Sequence, residues 1–407
     1  MLDTYITEPE RKIPVKKFYD TVVAGGGIAG ISAALAAARC GARVLLAERE
    51  YMLGGLATAG LVTIYLPLCD GNGRQVSFGI AEELLRLSAS RGFEGHYSAT
   101  WMNGGSAEDR RGKRFEIQYN PYVFAILAEQ ILKENGVDIL YGSAVCDTAV
   151  RNGRITHLIF ENKSGRFAAE TVNVIDATGD ADVCRISGEE TVVFKQGNVP
   201  ASWYYAVKNG KYQLRELGFS DIPDSQKTPE QLAADRKSKR FAGLDGDELT
   251  ELTLLAHRTL LEDFFKDGED SPEHSLASVA FIPQIRMTRR IAGIYTQDDT
   301  ELHREYADSV GLFSDWRKRG PVYELPFSAL YGSKILNLIT AGRCISVTDA
   351  MWDITRVIPV CAVSGQAAGT AAALTDDFSR TDLGRLQERL RSGGVVLHEN
   401  ELKADQI

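Results

Sequence analysis

The sequence predicts an α/β protein in which an α+β region is inserted into a central parallel sheet with a β-meander. Three observations predict it. A β-branched run ending at Ala24 leads straight into Gly25-Gly-Gly-Ile-Ala-Gly30, an alanine-rich helical stretch and a second strand-like run. Four further strand-like runs follow between Val137 and Ile175. A last block, Asn337 to Gly369, joins a short apolar strand to a helix of small residues. Strands that alternate with helical patterns build parallel sheets.

Length and composition set the frame. A chain of 407 residues is enough for two to three domains. With 44% hydrophobic and 25% charged residues it has an ordinary globular balance, which excludes a disordered, fibrous or disulfide-stapled protein. The net charge of −9 argues against a nucleic-acid partner, whose ligands want a basic field. No run approaches the roughly 18 apolar residues of a membrane span, and polar Met1 to Lys17 lacks the apolar core of a secretory signal. The expected compartment is the cytoplasm. None of the six cysteines stands at C-x-x-C spacing, so neither a zinc site nor a redox-active disulfide is expected, and no metal.

The first element is the strand Asp20 to Ala24. Gly25 allows the tight turn out of it, Gly27 lets backbone approach a pyrophosphate, and Gly30 lets the helix pack closely. The helix is expected over Ile31 to Cys40. The N–H groups at its start, around Ile28 and Ala29, face phosphate with the positive end of the helix dipole. The second strand, Ala42 to Ala47, ends at Glu48 and Arg49. Glu48 lies 48 − 30 = 18 residues past Gly30, where an acid accepts hydrogen bonds from an adenosine ribose. An acid there suits FAD or NAD better than NADP.

The next segment, Met52-Leu-Gly-Gly-Leu-Ala-Thr-Ala-Gly60, has no role in a plain NAD domain. Together with Val172-Asn-Val-Ile-Asp-Ala-Thr-Gly-Asp180, Tyr323-Glu-Leu-Pro326, Asn337 to Ser346 and Arg356 to Gly369, it resembles the FAD-dependent oxidoreductase family with a glutathione-reductase-type FAD-binding domain. The resemblance runs from residue 20 to about 374 around a divergent middle. It implies a Rossmann-like domain and FAD contacts at Gly54, Gly55 and Thr58, at Ala177, Thr178 and Gly179, and at Gly342, Arg343, Arg356 and Val357. It also implies an adenine contact at Ala144 and Val145. Leu56 to Ala59 stand where the disulfide reductases of this superfamily carry paired cysteines, so that chemistry is not expected. Many FAD enzymes have an acid after the last-strand glycine; this chain has Gly342-Arg343. Many relatives have a histidine near Thr348; this chain has Asp349.

The remaining elements follow in order. Asn120-Pro121 is an N-cap followed by proline at the first helical position, and the helix runs to Glu134 before Asn135-Gly136. Strands are expected at Val137 to Tyr141, Ala144 to Val150, Ile155 to Phe160 and Phe167 to Ile175, with a hairpin turn at Arg151-Asn-Gly-Arg154. Lys227 to Lys266 reads as a charged, solvated helical face. A small-residue helix begins near Pro359. Its N-terminus and Arg356 are expected to face the electron-rich edge of a flavin. No second G-x-G-x-x-G follows a strand, which argues against a separate NAD(P)H domain. The division is 1–70, 119–185 and 323–380 for the FAD-binding domain, 71–118 and 186–322 for the cap, and 381–407 for a tail helix.

Catalytic candidates come from the cap and the last strand. Arg286, Arg289 and Arg290 form its densest basic cluster and could clamp a carboxylate. His303 is the nearest candidate base, and Trp203, Tyr204 and Tyr205 could wall a substrate. Tyr331 and Asp349 flank the last strand. The expected activity is hydride transfer between non-covalent FAD and a small alcohol, sugar or carboxylic acid. The electron acceptor and any homo-oligomer are left open. Two rivals stand beside it. A flavin-dependent tRNA-modifying protein would want a basic face and a C-terminal helical domain, against the charge and the short tail. A flavin-binding protein without turnover would keep FAD and never be reduced.

Overall fold

The computed structural model describes residues 6–218, 227–235 and 239–402. Residues 1–5 of the polar N-terminus, 236–238 of the charged stretch and 403–407 of the tail lie outside the described residues.

Strand β1 (Val15–Ala24) is the centre of a seven-stranded sheet. It pairs in parallel with β2 (Val44–Ala47) on one side and with strand Gly165–Asp176 on the other. Strands Asp138–Leu140 and Leu338–Thr340 extend the parallel part at β2 and at the end of Gly165–Asp176. Strands Ala144–Arg151 and Arg154–Asn162 complete the antiparallel meander. Its hairpin turns at Asn152 and Gly153, both with positive φ, as the paired turn residues require. β1 starts five residues before the expected Asp20. Its first four residues are exposed, so no apolar pattern marks them.

Both faces of the sheet are covered, as parallel strands demand. Val23 packs into the helical side, while Val22 and Ala24 pack with Leu158, Phe160 and Val174 on the other. Helix α1 (Ile28–Arg39) begins inside the glycine turn, three residues before the expected Ile31. A Cβ on Gly30 would fall 1.8 Å from the Gly25 carbonyl oxygen, so only glycine lets the helix start that early. The helix Ile358–Ala372 crosses α1 at very short range. Cβ atoms on Gly365 and Gly369 would lie 2.3 and 2.1 Å from the Ala29 and Ala33 carbonyl oxygens.

Helix Pro121–Glu134 is capped as expected: the Asn120 side chain accepts from the N–H of Tyr122 at 3.0 Å and of Val123 at 3.1 Å. Residues 71–118, expected with the cap, place helix Ile80–Arg91 in the same core, where Leu84 and Leu85 are fully buried. Hairpin strands Ser309–Ser314 and Val322–Pro326 also join that core, through Val310 and Tyr323, across the expected boundary at 322. Between them lies an antiparallel sheet of Lys211–Arg215, Tyr204–Lys208 and His274–Val279, covered by helix Gly246–Phe264 through Leu260 and Phe264. Most of that helix is solvated, as its charge pattern predicts. The terminal helix Leu383–Ser392 starts at the Asp382 cap and buries Leu386 and Leu390.

Candidate active site

A cleft of about 320 Å³ crosses the carboxyl ends of four parallel strands, where ligands of open α/β sheets bind. Residues that leave β1 (Gly25), β2 (Glu48), Gly165–Asp176 (Ala177) and Leu338–Thr340 (Gly342) all line it. The segment Ile282–Pro283 and Ile285 of the inserted region form its far wall. That segment is fastened over the second glycine turn: Phe281 N–H donates to the Ala59 carbonyl at 2.8 Å, and the Gln284 amide donates to the Gly60 carbonyl at 2.6 Å.

The glycine turn is shaped for an anion. Gly27, Ile28 and Ala29 line the cleft, the opening of α1 has no side-chain cap, and no acid stands in its first turn. A Cβ on Gly27 would meet no protein atom within 4 Å, so that position is open to the cleft. Gly25 has φ +99°, and a Cβ there would strike the Ala177 carbonyl oxygen at 2.5 Å. Glu48 is buried to 7% exposure and holds the turn itself: its carboxylate accepts from Gly26 N–H at 2.6 Å and from Glu50 N–H at 2.8 Å. Burial pushes its pKa up against those two bonds. Arg49, Gly54, Gly55, Ala144, Val145, Thr178 and Gly179 also stand on the cleft wall.

At the opposite end stand Arg343, Arg356, Ile358 and Cys361. Arg343 donates to the Ile285 carbonyl at 2.5 Å and lies 3.3 Å from the Asp180 carboxylate. Arg356 is held by the buried Asp353 at 2.5 Å. The helix Ile358–Ala372 opens beside it with no side-chain cap. Cys361 is buried in its first turn, and burial pushes the thiol up to about 12.

The model of the FAD dependent oxidoreductase family matches residues 20–259 and 208–383. The chain belongs to the FAD-dependent oxidoreductase family. A thioredoxin reductase of Ureaplasma parvum serovar 3 is 32% identical over 75 residues, covering 18% of this chain and 24% of that one. Digeranylgeranylglycerophospholipid reductase 2 of Methanothermobacter thermautotrophicus is 27% identical over 183 residues, 42% of this chain and 43% of that one. The chain thus spans less than half the length of either curated relative. A geranylgeranyl bacteriochlorophyll reductase-like protein of Thermoplasma acidophilum superposes with a TM-score of 0.45 at 13% identity, covering 92% of this chain and 83% of that one. Among the described residues no helix is long and apolar enough to cross a membrane.

In this FAD-dependent oxidoreductase three expected cofactor residues stand off the cleft wall. Gly30 is packed against Gly25. Thr58 is fully buried and donates to the Leu53 carbonyl at 2.5 Å, which fixes the Gly54–Gly55 turn. Val357 is the residue before the helix Ile358–Ala372 and is buried.

The catalytic candidates do not converge. His303 is on the surface, its side chain 47% exposed and 2.7 Å from Glu399, with φ +58°. Tyr331 packs on the Phe327 ring, and Asp349 opens the helix Asp349–Thr355; neither lines the cleft. Arg289 is paired with Asp182 at 2.6 Å and donates to the Asp180 carbonyl at 2.9 Å. Arg290 donates to the Ile291 carbonyl and Ser346 hydroxyl at 3.3 and 3.4 Å. Arg286 is different. It is 4% exposed, and among the described residues neither its Nε nor its Nη1 has a hydrogen-bond partner. A buried unpaired cation costs about several kcal/mol. Burial and the neighbouring Arg356 and Arg343 pull its pKa down to about 9.

Several wall residues do not stand out in the sequence. Asp180 and Asp182 follow the Ala177-Thr-Gly179 turn, and their place just past a parallel strand was the available signal. Burial and the Asp180 and Asp176 carboxylates push Asp182 up to about 6, against the pull of Arg289. Ile282 and Pro283 carry no local signal; the fold of the inserted region brings them there.

Proposed function

We propose that this protein transfers a hydride between a small organic substrate and non-covalently held FAD at the Arg356 end of the cleft. The observation that carries the reading is the order of groups along the cleft. Glu48 and Ala144–Val145 stand at one end, the open Gly27 and uncapped α1 in the middle, and a second uncapped helix with Arg356 at the other. That order matches adenosine, pyrophosphate and flavin. The residues fit the group: the Gly27 cradle and the free N–H groups of α1 would take the pyrophosphate, and Glu48 the ribose.

FAD, when bound, supplies the two-electron chemistry. The chain supplies the rest. Arg356 and the opening of Ile358–Ala372 hold positive potential where charge grows on reduction. Ile282, Pro283 and Ile285 exclude water from that end. Arg343 locks this wall to the last parallel strand through the Ile285 carbonyl. The substrate approaches from the inserted region.

An anaerobic screen of alcohols, sugars and carboxylic acids tests the reading by loss of the visible flavin band. At least one class is expected to bleach the flavin of the wild type, with a slower rate in Arg356→Met. FAD that no donor reduces, in protein reducible by dithionite, would favour binding without turnover.

A further inference from the structure

We propose that Arg317 is a positioning residue for the flavin end of the cleft. Through the buried carboxylate of Asp353 it holds Arg356 in place at the cleft wall, and so sets the midpoint potential of the bound flavin. The proposal rests on the reading that puts the flavin at the Arg356 end.

Asp353 divides its two oxygens between two arginines. Its Oδ1 accepts from Arg356, at 3.1 Å from Nε and 2.5 Å from Nη2. Its Oδ2 accepts from Arg317 Nη1 at 3.1 Å. The Asp353 side chain has no solvent exposure, so protein cations rather than water must balance its charge. Its backbone is fixed as well: the Trp316 indole N–H donates to the Asp353 carbonyl at 3.0 Å.

Arg317 is itself anchored. Its Nε and Nη2 form a fork onto Asp315, at 2.9 Å to Oδ1 and 3.0 Å to Oδ2. Asp315 is equally unexposed, and its Oδ1 also accepts the Arg317 backbone N–H at 2.9 Å. Asp315 follows directly on strand Ser309–Ser314, whose Val310 is fully buried in the main core. Asp315, Arg317, Asp353 and Arg356 therefore form a row of alternating charge that starts at this hairpin and ends at the cleft.

Hydrocarbon side chains would fill the same space at least as stably as buried ion pairs. What the row adds is direction. The fork fixes Arg317, Arg317 fixes one Asp353 oxygen, and the other oxygen fixes Arg356. A cation held at the flavin edge stabilises the charge that grows there on reduction and raises the potential. The same cation free to swing away would do less.

Midpoint potentials are read anaerobically, by dye equilibration, in the FAD-loaded full chain. Arg356→Met is expected to lower the potential by a factor of about ten or more in the reduction equilibrium, which is about 30 mV for two electrons. Arg317→Lys keeps the charge but cannot span both carboxylates. It is expected to lower the same equilibrium by about threefold or more. Asp315→Asn combined with Arg317→Met removes the fork as a neutral pair, strands no charge at residue 315, and is expected to do the same. In the Arg356→Met background neither change should lower the potential further. Lys318→Met removes an exposed cation 3.8 Å from Asp315 and should leave the wild-type potential. Wild-type potentials in both Arg317 variants, beside a lowered one in Arg356→Met, would overturn the proposal. So would an Arg317→Lys shift that persists in full without Arg356, or an equal shift in Lys318→Met. Failure of the underlying reading shows separately, as a potential that Arg356→Met does not move.

Discussion

Arg343 reaches from the end of the last parallel strand to the Ile285 carbonyl at 2.5 Å, and so ties the inserted region to the nucleotide domain. Asp180, 3.3 Å away, completes the clamp. Lysine would keep the charge but cannot make both contacts in that geometry. Arg343→Lys is expected to cost about 1–3 kcal/mol in urea unfolding. Hydrogen exchange should rise at residues 282–287 and stay unchanged in the Ala144–Asn162 meander. Uniform loss of protection would contradict a local clamp.

Glu48 serves two masters in this arrangement. It holds Gly26 at 2.6 Å and stands on the wall where a ribose would lie. Glu48→Gln leaves an amide beside an N–H donor, so FAD affinity should fall about tenfold or more with the fold retained. Fluorescence titration of FAD into stripped protein measures it. Unchanged affinity would remove Glu48 from the site.

The nucleotide half was legible because its constraints are local. The glycine turn, the Asn120 cap and the Asn152-Gly153 hairpin each act within a few residues, so their chemistry is written in adjacent letters. The placing of helix Ile80–Arg91 in the main core was not, because its amphipathic face fits any apolar partner. The site followed the same rule. Gly25, Gly27 and Glu48 announce themselves by spacing, whereas Ile282 and Pro283 arrive by tertiary contacts. Of three neighbouring arginines, sequence could not say that Arg289 finds Asp182 while the Nε and Nη1 of Arg286 find no hydrogen-bond partner among the described residues. In sequence His303 is marked only as a scarce residue type near that cluster, and its place is the surface beside Glu399.

Asp182 makes the cleft sensitive to pH. Its pKa is raised to about 6, so it is protonated on the acid side of that value and charged at pH 7. A pyrophosphate nearby repels the charged form. FAD affinity should therefore rise as pH falls from 7 towards 5, and Asp182→Asn should flatten that slope. Stability runs the same way: a raised folded pKa stabilises below the unfolded value and loses that contribution as pH climbs through 6. A wild-type affinity that falls between pH 7 and pH 5 would contradict the assignment.

The crossing of α1 and Ile358–Ala372 leaves no room for a methyl group. With 2.3 Å between a Cβ on Gly365 and the Ala29 carbonyl oxygen, Gly365→Ala must push the helices apart. Overpacking of this kind costs about 1–3 kcal/mol. Because Ala29 and Ile358 both face the cleft, FAD affinity should fall along with stability. Gly384→Ala, in the solvated first turn of the terminal helix, is the control expected to leave both intact. Equal stability of Gly365→Ala and the wild type would show that the helices have slack.

The most direct test is the visible spectrum of the purified protein, with the cofactor identified after heat denaturation. The account predicts flavin bands, one FAD released to the supernatant per chain, and loss of that FAD in Glu48→Gln after dialysis. A colourless protein that takes up no added FAD, or flavin that stays with the precipitated chain, would contradict it.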